Sequence, residues 1–292
     1  MKQVLVILIS SIINMNVFSQ QEVRLFHGTA PGENAVLPKE SSDKTGNKVG
    51  GVEVQRMSNV SDPMITIYRP VQELACGTAM IVCPGGGYNI LAYDLEGTEI
   101  CDWLNDLGIT AVLLKYRVPK REGREKYEAP LQDAQRAISY VRANYEKLNI
   151  SPERIGIMGF SAGAHLSAMV CNSYTERTYP ASDRFDNVSM RPDFCLLVYP
   201  AYLSGNTLGT LAPEIKVTKD TPPTMLVHTE DDKALINSSL FYYFALKEAG
   251  VPAVMHLYHD GGHGYGMRDT KATVNEWPDR AETWMRSIGV IE

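Results

Sequence analysis

From about residue 52 onward, apolar and polar positions along the chain follow two alternating rhythms. Residues 79–83, 110–116, 154–158, 194–199, 223–228 and 254–258 form short, largely apolar runs, the pattern of strands buried on both faces. Between them, residues 95–107, 131–148, 162–170, 238–249 and 277–288 carry helical spacing, and Gly108 and Ser151-Pro152 close the first two. Residues 52–57 and 64–69 read as opening strands at an antiparallel edge. Strands separated by helices of this length require crossover connections, so the pattern predicts an α/β protein with a mostly parallel sheet covered on both faces. Gly50 and Gly51 mark the expected boundary between an N-terminal arm, residues 20–50, and a single domain, residues 51–292.

Composition narrows this picture. A chain of 292 residues, 44% hydrophobic and 21% charged, is long enough for one large core. A net charge of −6 with no basic run gives no electrostatic footprint for nucleic acid or an anionic membrane surface. At the start, Lys2 precedes an apolar stretch, residues 4–13, and Val17 and Ser19 are small enough for the −3 and −1 positions of a cleavage site before Gln20. Residues 1–19 therefore read as a signal peptide, and the product as secreted or periplasmic. The stretch is too short to span a bilayer, and no later one is long and apolar enough. Five cysteines make at least one thiol unpaired or paired with another chain, and no disulfide can be chosen from their positions.

The chemistry is concentrated in three loops. Gly159-Phe160-Ser161-Ala162-Gly163 joins a predicted strand to a small-residue helix, the setting in which a strained turn lifts a serine hydroxyl above the sheet. Glycine is needed two positions either side because the turn brings backbone too close for a side chain. A serine is a poor nucleophile at neutral pH and needs a base, which in such folds follows it in the order serine, acid, histidine. Of the six histidines, His263 lies in a glycine-rich loop after the last strand and is the expected base, with His259 in reserve. His165 and His228 read as structural. Zinc ligation by His259 and His263 would need a helix, which Gly261-Gly262 opposes. The acid lies in Glu230-Asp231-Asp232, where any of the three carboxylates could reach. Amide donors for an oxyanion are expected from Ala162 and from Gly86 or Gly87 in the loop Pro84-Gly85-Gly86-Gly87-Tyr88. Tyr88 and Tyr265 flank these loops as candidate substrate-stacking rings, whereas Trp277 reads as core.

Together, PGGGY, EGTEICDWLNDLGITAVLLKYRVP, PLQDAQRAISYVR, RIGIMGFSAGAHL, RPDFCLLVYP and GGHGYG resemble the esterase branch of the α/β-hydrolases that includes bacterial acetyl xylan esterases and related carbohydrate esterases. The resemblance covers most of the chain after about residue 64. It implies an α/β-hydrolase fold without a large cap domain and ester hydrolysis on plant polysaccharides or oligosaccharides, with no metal or organic cofactor. It also implies that the acid is Asp232, the second of an Asp-Asp pair, although the following KALINSSL lacks the family's Val-Pro. Ala164 replaces a second glycine usual after the elbow. Three other readings share these residues: a prolyl-oligopeptidase-like peptidase, a feruloyl-type esterase, and a hydrolase-like binding protein. The chain shows no propeller for the first, and its full set of triad candidates argues against the last.

Overall fold

The computed structural model describes residues 20–34 and 36–292; the expected signal peptide lies outside the described residues. The strands in chain order are β1 (Gln20–Arg24), β2 (Ser41–Asp43), β3 (Arg56–Ser58), β4 (Met64–Tyr68), β5 (Ala79–Cys83), β6 (Leu91–Ala92), β7 (Thr110–Lys115), β8 (Ile155–Phe160), β9 (Phe194–Val198), β10 (Thr224–Thr229) and β11 (Ala253–Tyr258). Eight of them form one sheet in the order β1-β4-β7-β5-β8-β9-β10-β11. From β7 to β11 every pairing is parallel, and β1 and β4 add an antiparallel edge. The α/β expectation holds.

Helices cover both faces because the strands are apolar on both. Within β5, Ala79, Ile81 and Cys83 pack into one core layer, while Met80 and Val82 pack into the other. The first layer is shared with α2 (Glu128–Ala143), α4 (Ala162–Asn172) and α5 (Ile236–Glu248) through Leu131, Ile138, Leu166 and Tyr242. The second is shared with α1 (Glu99–Asp106) and α6 (Trp277–Ser287) through Ile100, Leu104, Trp277 and Trp284. The chain crosses from β5 to β7 on one side and later places β8 on the other side of β5. Loops leaving the carboxyl ends of β5 and β8 diverge there, which makes a crevice at a topological switch point.

Several boundaries differ from expectation for identifiable reasons. The helix expected over residues 131–148 begins earlier, at Glu128, and breaks at Asn144 before the short turn α3 (Tyr145–Leu148). The Asn144 side chain there donates to the Tyr140 carbonyl at 2.8 Å, supplying a local partner that competes with helix continuation. The helix expected over 95–107 opens as a π-helical turn, Asp94–Thr98, before α1. The strand expected over 52–57 is restricted to β3, because Gly50 and Gly51, both at positive φ, fold the chain so that Val49 and Val52 exchange both backbone hydrogen bonds. The antiparallel edge is formed by β1 instead. The expected N-terminal arm is tied to the domain: β1 pairs with β4, Leu25 and Phe26 are buried, and the buried Arg136 donates to the Leu25 carbonyl at 2.8 Å. β2, β3 and β6 form a second, small antiparallel sheet. All five cysteines carry free thiols, and four of them are buried.

Candidate active site

Ser161 stands between β8 and α4 with φ 52° and ψ −116°, a conformation that costs a non-glycine residue on the order of 1–3 kcal/mol. Its neighbours leave no room for relaxation. A Cβ on Gly159 would lie 2.1 Å from the Gly163 carbonyl oxygen, and one on Gly163 would lie 2.0 Å from that of Cys83. The Ser161 N–H donates to the Val198 carbonyl, and its own carbonyl accepts from Ala164, His165 and Ala201. The turn is therefore anchored to β9 and to α4, and the hydroxyl is the group left facing outward.

That hydroxyl donates to His263 Nε2 at 2.8 Å, and His263 Nδ1 donates to Asp232 Oδ2 at 2.7 Å, with the tautomer set by these partners. Among the three adjacent carboxylates, Asp232 is the one joined to the histidine. Asp231 acts on the backbone instead. Its carboxylate accepts the N–H groups of Gly261 and Gly262 at 3.2 and 2.9 Å, holding the loop that carries His263. The Thr229 hydroxyl adds a bond to the Gly262 carbonyl at 2.7 Å. His259, the reserve base, is exposed, and among the described residues no hydrogen bond joins it to Ser161.

His228 is the residue that sequence reasoning undervalued. It is fully buried and satisfied, as expected of a packed histidine, but its partner is the acid itself: Nε2 donates to Asp232 Oδ2 at 3.0 Å, and Nδ1 accepts from the Ser239 hydroxyl at 2.7 Å. Burial alone would push the Asp232 carboxyl up, yet the hydrogen bonds from His228 and His263 hold it below its ordinary value. Burial pushes the His263 imidazole down, further than Asp232 restores it, which keeps the base neutral. The only advance signal for His228 was its position at a strand end, four residues before Asp232. Donor atoms of His228, Asp232 and His263 lie within 4.8 Å of one another, a spacing that suits a metal, but all four ring nitrogens already have hydrogen-bond partners.

The glycine-rich loop after β5 is tied down group by group. The Pro84 carbonyl accepts from the Tyr116 hydroxyl at 2.5 Å, the Gly85 carbonyl from Ala92 N–H, and the Gly86 carbonyl from Asn89 and Ile90 N–H. Among the described residues, the N–H groups of Gly86, Gly87 and Ala162 meet no acceptor. These donors belong to the loops bordering Ser161, where buried backbone is normally paired, so they are available to an oxyanion. Gly86 and Gly87 sit at φ 133° and 64°, which opens the loop without side-chain obstruction.

Tyr88 and Tyr265 do not offer stacking surfaces. Tyr88 is 1% exposed, bonded through its hydroxyl to His165 Nδ1 at 2.8 Å and stacked beside Tyr202. Tyr265 is 2% exposed and packs edge-on against Tyr199. Both rings complete the core beside glycines at positive φ, Gly86 and Gly87 before Tyr88 and Gly264 and Gly266 around Tyr265. Trp277 is core, as expected, with its indole N–H on the Gly266 carbonyl.

The cleft over Ser161 and His263 encloses about 350 Å³, and one wall comes from an unforeseen source: Asn47, Val49, Val54 and Arg56 of the N-terminal segment. Arg268 holds this wall, donating to the Val52 and Glu53 carbonyls at 3.1 and 3.0 Å while its other nitrogens pair with Asp94 and Glu99. Arg56 stitches it from within through the Val54 and Asn47 carbonyls.

With this geometry in place, comparison with known proteins is informative. Residues 65–196 match the family model BD-FAE, and residues 206–287 match the prolyl oligopeptidase family. The acetylxylan esterase of Xylanibacter ruminicola is 28% identical over 236 residues, covering 73% of this chain and 46% of that protein. Endo-1,4-beta-xylanase B of Butyrivibrio fibrisolvens is 30% identical over 207 residues, 63% of this chain and 32% of that one. The chain thus spans less than half the length of these curated relatives. The crystal structure of an acetyl ester-xyloside bifunctional hydrolase from Caldicellulosiruptor lactoaceticus superposes with a TM-score of 0.68 at 35% identity, over 79% of this chain and 90% of that one. The chain belongs to the esterase family of α/β-hydrolases.

Proposed function

We propose that the protein is an exported serine esterase that removes short acyl groups, acetyl foremost, from xylan or related plant carbohydrates. The observation that carries this reading is the unbroken series Ser161–His263–Asp232 beside amides that have no other acceptor. His263 takes the Ser161 proton as the oxygen attacks the ester carbonyl; the N–H groups of Ala162 and of Gly86 or Gly87 receive the oxyanion. His263 then protonates the departing sugar hydroxyl, and water resolves the acyl-enzyme by the same route. Residues of this chain supply every step, with no cofactor invoked. Val49, Val54, Ile90 and Leu95 give the cleft an apolar lining suited to an acyl chain. The acetylxylan esterase and the bifunctional acetyl ester hydrolase among its relatives support the same substrate class. The sequence of residues 1–19 supports export with cleavage before Gln20, which is tested by N-terminal sequencing of protein recovered outside the cytoplasm.

The enzymatic test is p-nitrophenol release from acetate, butyrate and ferulate esters, followed by acetate release from acetylated xylan, with Ser161→Ala as control. Turnover of acetate lost in the variant is the expected result; no turnover of any ester by the wild type would overturn the reading. The match of residues 206–287 to the prolyl oligopeptidase family favours a second reading, a serine peptidase. Cleavage of peptide anilides in preference to acetyl esters would establish that one instead.

A further inference from the structure

The hydrolytic steps leave unused a carboxyl group buried beside them. Glu96 sits in the π-helical turn before α1, is 4% exposed, and borders the same cleft as Ser161 and His263. Its Oε2 accepts the Gly85 N–H at 2.6 Å, and its Oε1 accepts the Tyr199 hydroxyl at 2.9 Å. A Cβ on Gly85 would lie 2.7 Å from Glu96 Oε2 and 2.9 Å from Ser161 Cβ, so the carboxyl and the serine approach each other across one glycine. Tyr199 continues the link. Its oxygen accepts the Gly266 N–H at 3.1 Å, and its ring packs edge-on against the His263 imidazole at 4.9 Å.

We infer that Glu96 is a positioning residue for ester hydrolysis, locking the glycine-rich oxyanion loop and the histidine loop into one arrangement through Gly85 and Tyr199. The inference rests on the esterase reading above. A buried carboxyl close to a serine nucleophile needs a reason to be there, and burying it is expensive unless each oxygen is satisfied. In the ionised form both carboxyl oxygens accept charge-assisted bonds, Oε2 from the Gly85 N–H and Oε1 from the Tyr199 hydroxyl. Protonation of Glu96 turns one oxygen into a donor and removes the charge from both bonds, which weakens the link between the two loops.

The surroundings make that protonation relevant near neutrality. Burial pushes Glu96 up to about 7, against the hydrogen bonds from Tyr199 and Gly85 and the charge of Arg56. The other ionisable groups facing it are Tyr199 and Tyr116, both raised by burial and so uncharged here, and His263 across the cleft. The acid limb of activity should contain a Glu96 ionisation above that of His263.

The test is Glu96→Gln, which keeps shape and mimics the protonated state. Turnover of p-nitrophenyl acetate is expected to fall about 10- to 100-fold, the weight of a hydrogen bond to a charged group, with KM within about threefold. The limb near pH 7 should vanish, leaving only that of His263. Tyr199→Phe, which spares Glu96, should reduce kcat less and keep the limb. The rate at which a fluorophosphonate labels Ser161 should fall in step with kcat. A Glu96→Gln protein with wild-type melting, kcat and pH profile overturns the inference; if that variant does not fold, an unchanged Tyr199→Phe overturns it. Should the wild type hydrolyse no ester yet label at Ser161, the esterase reading falls while the labelling rates of the variants still decide the role of Glu96. A wild type that takes up no fluorophosphonate overturns both.

Discussion

The cleft has two walls with different origins. One is made of loops at the carboxyl ends of β5, β8, β10 and β11, where Gly86, Ser161, Asp232 and His263 emerge from a sheet buried on both sides. The other is residues 47–56, brought from the N-terminal segment and pinned by Arg268 and Arg56 to backbone carbonyls. The first wall inherits its precision from strand register, which cannot slip without inverting every apolar side chain. The second depends on two guanidinium groups and a glycine hairpin. On the esterase reading, chemistry is expected on the wall that cannot move, and acyl selection on the wall that can change at low cost to the core.

Breaking the first wall should give the largest effects. Ser161→Ala is expected to lower kcat by a factor on the order of 10⁴–10⁶, and Asp232→Asn by about 10⁴, both read from steady-state ester hydrolysis. Next in size is His228. His228→Leu removes the second donor to Asp232 and should lower kcat about 10- to 100-fold, whereas His228→Gln, which keeps a donor, should stay within about fivefold of wild type. For the pH dependence, His263 must be neutral to accept the serine proton, and burial lowers its pKa. Its part of the kcat/KM profile should thus rise with pH through a midpoint below 6.5 and level off above it. The same shift means the unfolded chain binds this proton more readily than the folded site. His263 therefore costs stability as pH falls below 6.5 and costs none above, which urea melts at several pH values would register.

The second wall should respond in kind rather than in scale. Arg268→Gln frees the Val52 and Glu53 carbonyls and should leave acetate turnover within about threefold while raising the butyrate-to-acetate ratio severalfold. An unchanged ratio would remove acyl selection from this wall. Smallest of all is Tyr265→Phe: its buried hydroxyl has no hydrogen-bond partner among the described residues, so kcat and KM should both stay within about twofold.

The two walls also differ in how readable they were. Buried parallel strands announce themselves as apolar runs, and β5, β7, β8, β9, β10 and β11 lie within a residue or two of their expected limits. Ser161 and His263 were conspicuous because glycines frame them, and the choice of Asp232 over Asp231 needed a family pattern, since three adjacent carboxylates look alike in one dimension. The N-terminal wall had no such signature. β2 reads Ser-Ser-Asp, fully exposed, with no alternation to detect, and the partners of β1 are more than 40 residues away in β4 for most of its length. Tyr88 and Tyr265 depart from expectation for a related reason: an aromatic ring beside a functional glycine suggests a surface, but both rings are buried in the core.

The unpaired state of all five thiols carries a consequence for where this chain can fold. Exported proteins often lean on oxidative cross-links, and their yield then depends on the redox machinery of the compartment they reach. This sheet closes around Cys83, Cys171 and Cys195 as reduced, apolar-packed side chains, so nothing in its assembly calls for an electron acceptor. The chain should reach the same fold in a reducing cytosol as in an oxidising medium, and its melting point should be indifferent to added reductant.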